Sequence, residues 1–482
     1  MDKIRIGLDF GTHQTKICVQ RTPDEGHGEP NYEFLTFRDL KGERHYFLPS
    51  IVQLNKDNTL SYGFTDTALM KDGLKRPVMP ELEIESDFDM DETAKALYDK
   101  YATDENTPED LQVLYDMLTI RKRMLENKEK TEKEAMLSHY KAQMEEYHRS
   151  VNVYRYFKQA TFVGHKWDKA IDSKLLCVWY LAYVIFLLEE KFGQDFSINM
   201  GVPADQKGFQ AKSRLAVEIL ASAYCLVENV YQNDINAFLS EPIERLKEKT
   251  ELKEYSSELK DEYIIQVFPE AYASLIGLTS KGKISEGMSL TADIGGGTTD
   301  ISFFTINNRN PIIYRYWSIP EGLNYIAEMS GFDYSDGAFE EKARGNVVDS
   351  YNAKKLEIVN MLIRDLKSSL GGTGIPKKNL MNALRNRILV YSGGGSTYDF
   401  LANPLDTFSD VKIVDASIWK EENIKDKNVV SRLSVLLTTA YGLSMGKNGK
   451  DVKLEPFSSL CGGGNFQKRE NVQIQVIDKD MC

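Results

Sequence analysis

The sequence predicts a duplicated α/β fold of two lobes, with a helical insertion in the first. Two observations carry this expectation. Residues 4–19, IRIGLDFGTHQTKICV, and residues 289–304, SLTADIGGGTTDISFF, share one arrangement: an apolar strand, an Asp-x-Gly step, hydroxyl side chains and a second apolar strand. Between the two copies, from about Glu81 to Ser150, the chain turns rich in Glu, Lys, Asp and Met and contains no glycine. The repeat sets one lobe over residues 1–285 and the other over 286–482, with the charged insertion at about 72–150.

The first hairpin comes directly after the start, since MDKIRIG leads into a strand without a signal-peptide pattern. Its loop and flanks hold Asp9, Gly11, Thr12, His13, Thr15 and Lys16. The insertion reads as a helical hairpin or subdomain. Met136, Tyr140, Met144, Tyr147, Val151 and Tyr154 recur at three- and four-residue spacing on an otherwise charged segment. Such a stripe either packs against its own domain, the plainer expectation, or offers a surface to a protein partner. The apolar run LLCVWYLAYVIFLL (175–188) has fourteen residues, short of the roughly 20 that span a bilayer. It is expected to be a buried core helix. Residues 241–262 are charged and read as a surface helix or loop before the strand that leads to Pro269.

The second hairpin carries the chemistry. A turn between strands needs one or two residues of positive φ, yet Gly295, Gly296 and Gly297 stand together and Thr298 follows at once. Glycines in a row leave backbone N–H groups open to close approach, and phosphate is the usual ligand of such an array. Asp293 and Asp300 flank the loop. Carboxylates beside a phosphate repel it unless a divalent cation lies between, and Mg²⁺ takes that mixture of carboxylate, water and phosphate oxygen. Taken alone, the segment reads equally well as a structural turn. With the first hairpin as its twin, a nucleotide held between two phosphate loops becomes the better expectation. A third glycine cluster, ILVYSGGGSTYDF (388–400), follows a strand, and Ser396 can cap the next helix. Gly394 and Gly395 let a flat ring approach the backbone, and Tyr398 offers a face on which a base can stack. A plain helix entry explains the same residues.

These segments, in this order, resemble the ATPase superfamily of actins, heat-shock chaperones and sugar kinases. The two hairpins look like its phosphate 1 and phosphate 2 motifs and the GGGST turn like its adenosine motif. FPEAYASLIGL (268–278) and TTAYGLSMG (438–446) look like its two connecting helices, which implies a duplicated ribonuclease H-like (actin-like ATPase) fold around a nucleotide cleft. DIGGGTTDISFFTI, GGGST, FLPSIV (47–52) and NMGVPA (199–204) are most similar to the nucleotide-binding domain of DnaK-type chaperones, of the heat-shock 70 family. The resemblance implies that Asp9 and Asp293 hold Mg²⁺, with Asp300 nearby, and that Thr12, Thr15, Gly296, Gly297 and Thr298 contact the phosphates of ATP or ADP. Two lysines compete for a phosphate role. Lys158, in YRYFKQATF, matches the chaperone pattern, whereas Lys16 lies where actins carry theirs. Glu270 is the candidate for orienting the attacking water, although chaperones read Glu-Pro where this chain has Pro269-Glu270, an order found in plasmid-segregating actin relatives. Tyr398 replaces the arginine that chaperones lay over the adenine. Arg364 and Lys367, in IRDLKSSLGG, are candidates for the other ring face and the ribose.

Composition sets outer bounds. At 482 residues the chain is long enough for more than one domain. A net charge of −12 argues against broad binding to nucleic acid or anionic membrane. Cys18, Cys177, Cys225, Cys461 and Cys482 form no CxxC pair, so no zinc site or disulfide framework is indicated and a reducing cytoplasm is the simplest setting. About forty residues follow Tyr441-Gly442, too few for a peptide-binding sandwich and lid, and NVQIQVID (471–478) alternates as an edge strand does. The expected activity is therefore a Mg²⁺-dependent ATPase that switches conformation on hydrolysis. A filament-forming actin relative is the alternative, and a small-molecule kinase of the same fold ranks third.

Overall fold

Alternation of apolar residues builds the first sheet. In β1 (Lys3–Phe10), Ile6, Leu8 and Phe10 are fully buried, as are Ile17 and Val19 of the antiparallel β2 (Gln14–Thr22). This is a computed structural model, which describes residues 3–23, 29–72, parts of 127–146, 152–203 except 165, 208–251, 264–330 except 285, 345–369, 389–398, 401, 411–413, 427–445 and 452–455. The protein is mixed α/β. It divides into two units, one of residues 1–71, 152–167 and 171–482, the other of 72–151 and 168–170.

In the larger unit, β2 is followed by β3 (Asn31–Phe34), then by α1 (Phe157–Val163) and α2 (Ser173–Phe192). Next come β4 (Phe196–Val202), α3 (Phe209–Tyr224), β5 (Ile265–Pro269) and α4 (Glu270–Ser280). Both β4 and β5 are parallel to β1, which gives the order β5-β4-β1-β2-β3. The second sheet holds β6 (Gly287–Ile294), β7 (Thr299–Asn307) and β8 (Asn310–Ile319). After α5 (Leu323–Ser330) and α6 (Gly345–Ser369) come β9 (Leu389–Ser392), β10 (Val411–Ile413), α7 (Lys427–Ser444) and β11 (Lys453–Leu454). Leaving β11 aside, its order β10-β9-β6-β7-β8 repeats the first sheet strand for strand, with β6 and β7 antiparallel and β9 parallel to β6.

The apolar run at 175–188 lies within α2 and is buried nearly all round, as expected of a core helix. Asp172 caps its start by accepting from the Lys174 amide at 2.7 Å, and Gly193 ends it at φ +72°. Among the described residues no helix is long and apolar enough to cross a membrane.

Helices α4 and α7 pack on each other, α7 also on β1 and β2, and α4 on β7 and β8. Glycines make the close approach possible. A Cβ on Gly442 would stand 1.8 Å from the Ala273 carbonyl oxygen, and one on Gly7 would stand 2.2 Å from that of Ala440. Asn199 locks α7 to the first sheet by donating to the Leu443 carbonyl at 2.7 Å.

Two expectations change. The connecting helix begins at Glu270, because Phe268 and Pro269 finish β5. Tyr154 does not continue a helical stripe: it is buried in a short strand opposite Val52. The three- and four-residue spacing runs past the point where the backbone has become extended. The rest of that stripe, Met136 to Val151, lies outside the described residues, as do Cys461, Cys482 and NVQIQVID. Within 241–262, Ile243–Glu251 is a helix. In the smaller unit, the described residues between 127 and 146 are helical and exposed.

Candidate functional site

Strand register decides which side chains meet. Asp9 ends β1 and pairs across the hairpin with Lys16, and Asp293 ends β6 and pairs across its hairpin with Asp300. Because side chains alternate along a strand, a residue and its cross-strand partner share a face, and the next residue turns away. All four line one cavity of about 290 Å³, together with Gly11, Thr12, His13, Lys158, Glu270, Gly295, Gly296, Gly297, Thr298, Gly394 and Tyr398. That volume is at the small end for small-molecule sites, which run from roughly 300 to 1,000 Å³.

Most residues expected at a nucleotide site are thus brought together, with exceptions. Thr15 neighbours Lys16, so it faces the core. It is fully buried, accepts from the Tyr180 hydroxyl at 3.0 Å and lies 3.2 Å from the Ser50 hydroxyl. Ser396 and Gly395 are buried behind the glycine turn: the Ser396 hydroxyl donates to the Gly393 carbonyl, and a Cβ on Gly395 would meet Ile294. Arg364 is exposed on α6 and does not line the cavity, and the Lys367 side chain lies outside the described residues.

Both candidate lysines are paired with carboxylates. Lys16 Nζ is 2.9 Å from Asp9 Oδ2, and Lys158 Nζ is 2.6 Å from Glu270 Oε1. Lys158 is buried in the first turn of α1 and stands over the Phe10 ring. Glu270 opens α4, where the helix dipole favours a carboxylate. Gly201 makes room for it, since a Cβ there would come within 2.9 Å of Glu270 Cγ.

The second hairpin is the more acidic. Asp293 accepts from the Ser392 hydroxyl at 2.9 Å, and its pKa is pushed up to about 6, first by burial and then by Glu270 and Asp9. Asp300 accepts from Thr298 at 3.1 Å. Burial, with Glu270 and Asp293, pushes its pKa up to about 7, against the hydroxyls of Ser318 and Tyr316, which face it. Asp300 Oδ1, Ser302 Oγ and Tyr316 Oη are buried without a hydrogen-bond partner. Four carboxylates and two lysines line the cavity, leaving two negative charges in excess when all are ionised. Hard oxygen donors, an unpartnered carboxylate oxygen and surplus negative charge suit a divalent cation such as Mg²⁺, but Asp9, Asp293 and Asp300 do not bring three oxygens within 4.8 Å of one another, so they could hold it only in part through its waters.

Several site residues are not visible in the motifs. Gln159 is buried beside Lys158, and its Nε2 donates to the Gly297 carbonyl at 2.8 Å and to that of Pro320 at 3.2 Å. Gly297 itself touches the first hairpin: a Cβ there would stand 2.7 Å from Thr12 Oγ1. Ser392, the last residue before the glycine turn, was within reach of sequence reasoning, since a residue preceding such a turn faces whatever the turn binds. Gly393 is required twice over, by φ +83° and by Asp293 Oδ1 only 2.5 Å from where its Cβ would be. Ser50, in FLPSIV, supports the first loop by donating from its hydroxyl to the Gly11 carbonyl at 2.8 Å and from its amide to that of His13 at 2.8 Å.

Apolar side chains also line the cavity, Leu323, Val435 and Leu436, together with Tyr398 and Thr439; the Leu323 amide donates to the Gly295 carbonyl at 3.1 Å. A cavity that combines carboxylates, lysines, glycine loops, an aromatic ring and apolar side chains can take an anion carrying a flat ring, together with a cation. Compared with known proteins, the chain matches no family model and no curated protein sequence.

Proposed function

We propose that this protein binds ATP with Mg²⁺ and hydrolyses it, on a duplicated ribonuclease H-like fold resembling the nucleotide-binding domain of heat-shock 70-type chaperones. One observation carries the proposal: two hairpins at equivalent places in two sheets of the same order turn Asp9 and Asp293 into a single cavity beside a glycine turn. In this reading the hairpin loops cradle the phosphates, and Tyr398 with the apolar side chains takes the base.

Phosphoryl transfer to water asks the protein for positioning and charge compensation rather than covalent chemistry. Glu270 orients a water against the terminal phosphate, and its 2.6 Å bond to Lys158 fixes the carboxylate's rotamer for that task. Lys16 and Lys158 compensate charge on the phosphate oxygens. Asp9, Asp293 and Asp300 would hold Mg²⁺, which supplies charge neutralisation at the phosphates when bound.

The test compares phosphate release and nucleotide binding in the wild type, Glu270→Ala and Asp293→Ala. The first variant should keep binding and lose turnover, and the second should lose Mg²⁺-dependent binding. A wild type that binds neither ATP nor ADP in the presence of Mg²⁺ refutes the proposal. A filament-forming ATPase is the second reading, supported by the Pro269-Glu270 order at the start of α4. ATP-dependent sedimentation of the same samples separates the two.

A further inference from the structure

Three hydrogen bonds run across the cavity from elements before residue 285 to elements after it, all at the end where the two glycine loops meet. His13, in the first loop, bonds through Nε2 to Asn324 Oδ1 in the first turn of α5. Gln159 of α1 donates to the carbonyls of Gly297 and Pro320, on either side of the second loop's approach to α5. The Asn324 amide in turn donates to the Gly296 carbonyl at 2.9 Å, so a pull on Asn324 is a pull on the second loop. Gln159 and Asn324 are both buried, at 5% exposure each.

The first-half side of this junction is stiff. The His13 ring sits edge-on against Tyr156 with centroids 5.0 Å apart, and Tyr156 enters α1 at φ +63°, a conformation costly for a bulky residue. Burial, with Arg155 and Lys16 nearby, holds the His13 pKa well below its usual range, which leaves a neutral ring able to donate one N–H to Asn324. Neither Gln159 nor Asn324 is charged, and neither replaces a hydrogen bond that an ordinary turn requires.

We propose that His13, Gln159 and Asn324 form a clasp joining the two loops across the phosphate end of the cavity, and that the clasp must open for a nucleotide to enter or leave. This rests on the nucleotide-binding reading above. The three are positioning residues that set the exchange rate and not the chemistry. A clasp obstructs entry and exit alike, so loosening it speeds both and leaves the equilibrium affinity nearly unchanged. Loss of a direct ligand contact speeds exit alone and weakens affinity.

Stopped-flow binding of a fluorescent N-methylanthraniloyl-ADP with Mg²⁺ to the full-length chain tests this in Gln159→Leu, Asn324→Leu and Asn324→Asp. Gln159→Leu and Asn324→Leu should each accelerate association and dissociation in parallel, by roughly two- to tenfold, the range set by one net hydrogen bond. Asn324→Asp keeps an acceptor for His13 and adds a negative charge that repels a nucleotide, so its association rate should not rise above that of the wild type. Circular dichroism melts establish that each variant is folded, and Gln159→Leu carries the test if Asn324→Leu is not. Unchanged rates, or faster dissociation with weaker affinity, in proteins that bind the probe overturn the clasp alone. A wild type that does not bind the probe overturns the nucleotide-binding reading and the clasp with it.

Discussion

Asp300→Asn should make the metal-free, nucleotide-free protein more stable at pH 8, although it removes a residue assigned to the cation site. Asp300 is half-buried on the cavity wall, with Oδ1 out of reach of solvent, and its pKa rises from an ordinary 3.8 to about 7 through burial and the neighbouring Glu270 and Asp293. At 1.36 kcal/mol per pH unit, that rise means an ionised Asp300 costs the fold roughly 4 kcal/mol above pH 7. An amide of the same shape avoids the charge but must itself be satisfied, so roughly 2–4 kcal/mol should be recovered. The sign follows from proton counting. A carboxyl whose folded pKa is raised binds more protons in the folded state, so stability falls as pH rises from 3.8 towards 7 and levels off above it. Unfolding entropy of roughly 2.1 cal/mol/K per residue, over 482 residues, comes to roughly 1 kcal/mol/K. The variant should therefore melt about 2–4 °C higher at pH 8 in EDTA, with the difference shrinking as pH falls below 7 and lost only near pH 4, where the carboxyl is protonated in the folded and unfolded chains alike. His13, whose depressed pKa destabilises the fold as pH falls, is common to both proteins and cancels in the difference. Scanning calorimetry of wild type and variant across this range is the assay. Equal or lower stability of Asp300→Asn at pH 8, or a difference that does not change with pH, would refute the assignment of repulsion and burial to this carboxylate.

Other consequences follow from the same geometry. Thr15→Val should leave ADP affinity by calorimetry unchanged and cost about 1 kcal/mol of stability, because its hydroxyl bonds Tyr180 and lies beside Ser50 in the core and not the cavity. Weakened ADP binding would show the side chain facing the other way. Gly442→Ala should destabilise by about 1–3 kcal/mol in urea titrations, since the new methyl would stand 1.8 Å from the Ala273 backbone oxygen and only separation of α4 from α7 relieves it. Because α4 begins with Glu270, turnover should fall as well, and a variant with wild-type stability counts against the crossing. Lys158→Met leaves the Glu270 carboxylate without its cation and should cost about 1–3 kcal/mol together with most of the turnover. Retained turnover would mean that Lys16 compensates the phosphate charge without help.

The hairpins were legible because their chemistry is local: an apolar strand, an aspartate and a run of small residues are adjacent in the chain, and each hairpin closes on itself. The buried helix at Ser173–Phe192 was legible for the same reason. Thr15 was misplaced although the information was present, since a period of two sends it away from the face that Lys16 shares with Asp9. Tyr154 was misplaced because helical spacing can persist by chance into an extended segment. The bonds of Lys158 to Glu270 and of Gln159 to Gly297 join residues 112 and 138 positions apart, and nothing in either segment announces its partner.

The register also shows that two hairpins of one pattern differ in charge. Asp9 pairs with Lys16 and is offset by it, whereas the equivalent position opposite Asp293 is Asp300. One wall of the cavity is thus close to neutral and the other doubly acidic, and the pKa values of about 6 and about 7 fall on the acidic wall. A polyphosphate approaching alone meets net repulsion on that side, and a cation arriving with it removes both the repulsion and the cost of the buried carboxylates. Discharge of Asp293 and Asp300 by the cation is then part of the binding free energy, and nucleotide affinity should depend on Mg²⁺ more steeply at pH 8 than at pH 6. Isothermal titration of ADP with and without Mg²⁺ at the two pH values measures that difference, and equal Mg²⁺ dependence at both would place the cation away from these aspartates.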